Sequence, residues 1–493
     1  MGNSQGHEAQ PTTDIQDNQD VVEDVDEDND ENSEYNDYLN EWPTEPTEFP
    51  DLFRECTACT YAAISIFILA DLRRLAREGH IQPNQEDGTG DVLSFPIRFT
   101  TDIAPIWDDN VELLKHKMKR IEYDTFDCLA KLYYENSQLH YETDGGQCYS
   151  MGDERASEEC VYGILVNSVR KTITLVFRGS ITLQDWVQDS KTPFRSIDNP
   201  LHKFKREIEE KQNNNIDISD LPAKLPLHSG FLQYLYNDDE ENPIISSLGH
   251  SVEVAREKFL SRKRSTQSGE QEGAQVEAKE KPDVNKNMSK IDYVMKEIEE
   301  IYKTRPDYKL YITGHSLGGA LSLIAALEAA VRFTVLQNKP PVTCITLGNP
   351  KAGGAELRKA IYTLETMHHL RVLCIHNAND LVPMLPNSCC FSNIYWKRYK
   401  HAGMQLRMLD EERMGKSTAP KFSVRYRGKT RQIKDWSSTN KERVRRISTI
   451  ALCVHRIGER HFYGNYLRSL NARQEALSSL YLNDFYEKLS DDW

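Results

Sequence analysis

The run DYKLYITGHSLGGALSLIAALEAAVRF (307–333) constrains this chain more than any other stretch. An apolar, β-like segment ends at Gly314, and a small-residue apolar helix begins at Leu317, so the backbone must change character within two residues. Gly314 and Gly318 bracket Ser316, and side chains at those two positions would collide across so tight a turn. A serine held there stands clear of the sheet. The first turn of the helix beyond it offers unpaired N–H groups and the positive end of a dipole to developing negative charge.

Further strands and helices alternate around this unit. VTCITLG (342–348) and LRVLCIHNAND (370–380) read as buried strands, and GAELRKAIYTL (354–364) between them reads as a helix. Upstream, ECVYGILVNSVRKTITLVFRGSI (159–181) reads as a hairpin whose second strand, 172–177, ends in FRGS. Helical spacing also marks 121–135, the stretch from FLQYLYND onward, and a C-terminal helix opening at HFYGNYL (461–467). The alternation implies an α/β fold, with a mostly parallel central sheet flanked by helices.

Charge divides the chain. Residues 1–55 hold 18 Asp and Glu against Arg54 alone, a local balance of −17 within a total of −15, which leaves the remainder near +2. An acidic tail over 1–50 with so few apolar residues is expected to be disordered, and 51–493 to form one domain. The aromatic-free insertion 262–290 is expected to be disordered as well. No basic patch invites nucleic acid. MGNSQGHEAQ lacks the pattern of a secretory signal, and Gly6 departs from the myristoylation motif. The apolar run in 58–79 ends at Ala70 after about 13 residues, short of the roughly 20 that span a bilayer, so a packed helix closed by Gly79 is expected. Ten irregularly spaced cysteines are expected to be thiols, and the lone Cys56-x-x-Cys59 pair does not make a zinc or redox site.

A serine hydroxyl becomes a nucleophile only when a neighbouring base takes its proton, and the base needs an orienting carboxylate. Asp380 ends a strand, where a sheet delivers side chains to the rim of a site. Of the histidines beyond it, His461 opens an apolar-aromatic helix, and His455 sits six residues earlier. The residues favour His461 and leave His455 open; His376 precedes Asp380. For the oxyanion, the backbone N–H of Leu317 follows Ser316 directly, and Ser180, after Gly179, is the candidate for the second donor.

Together these stretches resemble the fungal-type (class 3) lipases of the α/β-hydrolase superfamily. LVFRGSITLQDWVQD (175–189), LHSGFLQYL (227–235), YITGHSLGGALSLIAA (311–326), LGNPKAGG (347–354), LRVLCIHNANDLVPMLP (370–386), YKHAG (399–403) and HFYGNYL (461–467) are collinear with that family. The resemblance implies Ser316 as nucleophile, Asp380 as orienting acid, His461 as base and Ser180 as oxyanion residue. It prefers His461 because Tyr466-Leu467 follows at the family's interval, and it makes His228 and His401 structural. It implies hydrolysis of acylglycerol esters without cofactor or metal, with phospholipids or small esters as alternative substrates. A lipase-like adaptor without catalysis is the rival of another class. It also places a lid at about 190–227, more charged here than an apolar lid. The expected setting is cytoplasmic, without a transmembrane helix but with transient contact to a membrane or lipid-droplet surface, and no residue selects a protein partner.

Overall fold

A computed structural model of the protein describes residues 49–80, 95–98, 102, 146–153, 161–179, 194–211, 221–236, 288–378, 380–386, 399–408, 422–426, 429–432, 461 and 463–491. Residues 1–48 of the acidic tail, the 121–135 segment and most of the 262–290 insertion lie outside these residues. All of the described residues belong to one unit, Leu39–Trp493.

Five parallel strands form the centre: β4 (Thr172–Phe177), β7 (Lys309–His315), β8 (Val342–Leu347), β9 (Leu370–Asn377) and β10 (Met404–Met408). Their registers pair Phe177 with Gly314, Gly314 with Thr346, and Thr346 with Cys374, so the strands end together at one edge. Antiparallel strands extend the sheet outward: β1 (Ile97–Arg98), β2 (Gly146–Gly152) and β3 (Tyr162–Asn167) beside β4, and β11 (Phe422–Tyr426) and β12 (Lys429–Gln432) beside β10. The hairpin expected in 159–181 is β3–β4, closed where Asn167 Oδ1 accepts the Arg170 N–H at 2.9 Å.

Alternate residues of each central strand face opposite cores, as a pleated strand buried on both faces requires. Leu310 and Ile312 of β7, with Val342 and Cys344 of β8, face one cluster. That side is covered by α4 (Ser229–Tyr236), α5 (Lys290–Thr304), α6 (Leu317–Ala329) and α7 (Ala355–Thr366). Tyr311, Ile345, Leu347, Leu373 and Ile375 face the other cluster, covered by α1 (Leu52–Arg77), α8 (Tyr463–Asn471), α9 (Gln474–Ser478) and α10 (Leu482–Asp491). Two short helices, α2 (Pro200–Lys203) and α3 (Lys205–Lys211), lie between the paired strands β5 (Phe194–Asp198) and β6 (Lys224–His228).

Helix α1 differs from the expectation in length. It begins at Leu52, where Asp51 Oδ1 accepts the Arg54 N–H at 3.0 Å, and runs for 26 residues to a turn in which Gly79 has φ +74°. The six residues before Ala58 extend it, although Glu55 among them has the character of a surface residue. In the fold Glu55 is buried, paired with Arg371 at 2.9 Å and accepting from Tyr311 Oη at 2.8 Å. By length and composition α1 and Leu317–Val335 are both apolar enough to cross a membrane, but 78% and 94% of their apolar windows lie buried in the protein.

The described parts of 190–227 divide between two places: the Pro226 carbonyl accepts the Gly354 N–H at 3.1 Å in the loop after β8, whereas α2 and α3 lie near the C-terminal end of α6. Lys203 lies 3.8 Å from Glu328 near the C-terminal end of α6. Phe204 carries the guanidinium of Arg332, which itself pairs with Glu328 and Asp292. Arg332 is 15 residues beyond Leu317, and at the α-helical rise that is ~22 Å from the Ser316 end. Leu201 is buried in the same core cluster as α6, and Phe204 packs against that cluster.

Candidate active site

Strand β7 ends at His315 and α6 begins at Leu317, leaving Ser316 alone in the turn with φ 57° and ψ −127°. Such a backbone is strained for a residue with a side chain and persists only where its surroundings fix it. Two features fix it here. The Ser316 N–H donates to the Leu347 carbonyl at 2.9 Å, binding the turn to β8. The flanking glycines also let three segments meet: a Cβ on Gly314 would fall 2.4 Å from the Gly318 carbonyl carbon, and one on Gly318 only 2.2 Å from the Phe177 oxygen. The collision foreseen across this turn is therefore present, and the end of β4 is part of it.

Asp380 lies just beyond β9, buried, and its carboxylate is fully engaged. Oδ1 accepts the Val382 N–H at 2.9 Å. Oδ2 accepts both His461 Nδ1 at 2.7 Å and Tyr466 Oη at 2.6 Å. The carboxylate thus keeps the proton of the neutral His461 imidazole on Nδ1 and leaves Nε2 as the basic nitrogen. His461 is buried, and its Nε2 carries no hydrogen bond. A serine–histidine contact left open in the free protein commonly closes with substrate.

The structure thus gathers Ser316, Asp380 and His461 from three parts of the chain at one edge of the parallel sheet. Gly348 makes the meeting feasible: with φ +56°, it passes so close that a Cβ there would stand 2.7 Å from Tyr466 Oη, 2.8 Å from Asp380 Oδ2 and 3.0 Å from His461 Cε1. Leu317 follows Ser316 at the start of α6, where the first N–H groups have no partner inside the helix. Ser180 and His455 lie outside the described residues. The segment leading to Ser180 does reach the turn, since a Cβ on Gly179 would touch Ser316 Cβ at 3.4 Å and the His315 carbonyl oxygen at 2.7 Å.

The other histidines are placed elsewhere. His228 is buried and stacks on Phe231 at 4.2 Å. His376 on β9 faces His401 at 5.1 Å, and burial holds the His376 imidazole down at about 4, outweighing the opposing pull of Asp380. Two participants carried no legible sign in the sequence. Tyr466 served only as a spacing marker, and its link to Asp380 became visible when α8 packed against β9. His315 filled the free position of the pentapeptide, and nothing local indicates that its ring reaches His461. Among the described residues no group of three or more His, Cys, Asp or Glu is placed to hold a metal ion. Cys56 and Cys59 are buried thiols on α1, and burial pushes the Cys56 thiol well up.

A central parallel sheet, a strained strand–serine–helix turn at its carboxyl edge, and an aspartate and a histidine arriving in that chain order define an α/β-hydrolase fold. Residues 174–389 match the lipase (class 3) family. Similar curated proteins include "Phospholipase A1-Igamma1, chloroplastic" of Arabidopsis thaliana, 25% identical over 48% of this chain and 35% of that protein. "Phospholipase A1-IIbeta" of the same plant is 33% identical over 19% of this chain and 22% of its own length. The chain thus spans about a third or less of these relatives. Similar solved structures include a Rhizomucor miehei lipase propeptide complex, with 18% identity, 55% of this chain and 60% of the other covered, and a TM-score of 0.33. A triacylglycerol lipase from Penicillium expansum shows 15% identity, coverage of 59% and 75%, and the same TM-score of 0.33.

Proposed function

We propose that this chain hydrolyses acyl esters of glycerolipids through a covalent acyl-serine, with acylglycerols as substrate. The observation that carries the reading is the buried Asp380–His461 pair, saturated on the acid and open at His461 Nε2, beside a serine in a strained turn. His461 Nε2 takes the Ser316 hydroxyl proton as Oγ attacks the ester carbonyl. The Leu317 N–H and Ser180 receive the oxyanion. Collapse expels the alcohol, which takes its proton from His461. Water, deprotonated by the same imidazole, then releases the fatty acid and frees Ser316.

A second reading has a specific observation behind it. The relatives above are called phospholipases A1, which favours removal of the sn-1 acyl chain of a phospholipid by the same residues. Both substrates belong to a lipid surface, and a cytoplasmic setting with transient contact to a membrane or lipid droplet is part of the proposal.

Purified protein is expected to label with a fluorophosphonate and to hydrolyse tributyrin, with Ser316→Ala abolishing both. Full activity of Ser316→Ala would sink the reading, and absence of labelling in the unaltered protein would favour a non-catalytic adaptor. Release of fatty acid from dioleoylphosphatidylcholine in mixed micelles, faster than from diolein, would select the phospholipid.

A further inference from the structure

His315 directly precedes Ser316, yet its ring turns toward the C-terminal segment. Its Nε2 lies 2.6 Å from the main-chain carbonyl oxygen of His461. A carbonyl only accepts, so Nε2 carries the proton and donates. The ring is packed between the His461 imidazole, 4.4 Å away, and the Tyr463 ring, 4.2 Å away, with Tyr466 edge-on at 5.9 Å. Tyr463 in turn rests edge-to-face on Phe67 of α1 at 5.2 Å. Burial, and the neighbouring His461, hold His315 well below the usual imidazole range, so it stays a neutral donor.

We infer that His315 is a positioning residue: it fixes the backbone of His461 and thereby sets where the His461 imidazole stands relative to Ser316. The inference rests on the reading that Ser316 and His461 perform the chemistry. The bond from Nδ1 to Asp380 holds one corner of the imidazole and leaves it free to swing about that contact. A second anchor on the main chain removes this freedom. Because one peptide unit joins His315 to Ser316, the anchor for the base and the attacking oxygen move together. The base, 145 residues further along the chain, is thus referenced to the serine's own turn.

The test separates the hydrogen bond from the volume of the ring. His315→Phe keeps an aromatic ring and loses the donor, and His315→Gln keeps an N–H at similar reach. Rates of fluorophosphonate labelling at Ser316 and of p-nitrophenyl butyrate hydrolysis are measured on the full chain. His315→Phe is expected to lower labelling and kcat on the order of 10²-fold, the scale of an ångström of misplacement. KM should stay within about threefold, since ground-state binding is not touched. His315→Gln should recover at least about tenfold of the loss. Should the Phe variant fail to fold, His315→Met takes its place against Gln. Equal rates for the donor and non-donor variants, or a wild-type rate in Phe or Met, overturn the inference while labelling of the unaltered protein keeps the underlying reading intact. If the unaltered protein does not label at Ser316, both fall.

Discussion

Tyr466 donates its hydroxyl proton to Asp380 Oδ2 at 2.6 Å, the same oxygen that accepts His461 Nδ1 at 2.7 Å. Oδ1 meanwhile accepts the Val382 N–H. Three donors thus saturate a buried carboxylate before any substrate arrives, and its charge needs no water. Burial and this negative neighbour push the Tyr466 phenol well above its ordinary range, so it stays protonated and donates at neutral pH.

Removing that hydroxyl should weaken the Asp380–His461 unit without dismantling it. A hydrogen bond to a charged acceptor is worth about 1.5–3 kcal/mol. Tyr466→Phe is therefore expected to lower kcat on a soluble ester roughly 10- to 100-fold, with KM little changed. Steady-state kinetics against p-nitrophenyl butyrate decide it, and an unchanged kcat would mean that His461 and the Val382 N–H hold Asp380 without Tyr466.

The identity of the base can be settled by paired substitutions. His461→Ala should remove activity by several orders of magnitude, and His455→Ala should leave it nearly intact. Asp380→Asn should cost on the order of 10⁴-fold, because an amide no longer holds the imidazole in the required tautomer. The reverse ranking of the two histidine variants would reassign the base.

The buried Glu55–Arg371 pair fastens α1 to the sheet from within. Both side chains are fully buried, Arg371 also donates to Thr343 at 2.8 Å, and its guanidinium covers Phe49 at 3.8 Å. Breaking one partner of such a pair leaves an uncompensated charge and costs about 3–5 kcal/mol. Glu55→Leu and Arg371→Met are each expected to lower stability by that amount in urea denaturation, and the two together by less than the sum of the single changes. Strict additivity would show that the two charges do not depend on each other.

Acid should weaken the fold through His376. Its imidazole titrates near 4 in the folded chain because burial disfavours the charged form, with Arg407 and Lys351 adding to that and Asp380 opposing it. The unfolded chain takes up the proton near the ordinary value of about 6.5. Above that value neither state is protonated and His376 contributes no pH dependence. Between about 6.5 and about 4 the unfolded state binds more protons, so stability falls as pH falls, by up to about 1.4 kcal/mol per unit from this group. Urea midpoints measured across that window should fall less steeply in His376→Phe, and an unchanged slope would place the acid sensitivity elsewhere.

Much of this was readable from the chain alone, for local reasons. The turn at Ser316 announces itself because two glycines, a β-like run and a small-residue helix are all adjacent in sequence. The strands 342–347 and 370–377 were legible as short apolar runs between helices, and the sheet orders them as their spacing required. Glu55 shows where such reading stops: an acidic residue at a helix start looks solvated until a strand 316 residues away supplies Arg371.

Local patterning along the chain accounts for the serine turn, the α/β alternation and the candidate order Ser316, Asp380, His461. Each depends on neighbouring residues or on a pattern of chemical types along the chain. Folding alone brings His461 to Asp380, sets Tyr466 on the same oxygen, and carries His315 from the serine's own turn to the backbone of His461. Those contacts join residues 81, 86 and 146 positions apart. Their geometry follows from how α8 and β9 pack, and no local propensity encodes that packing.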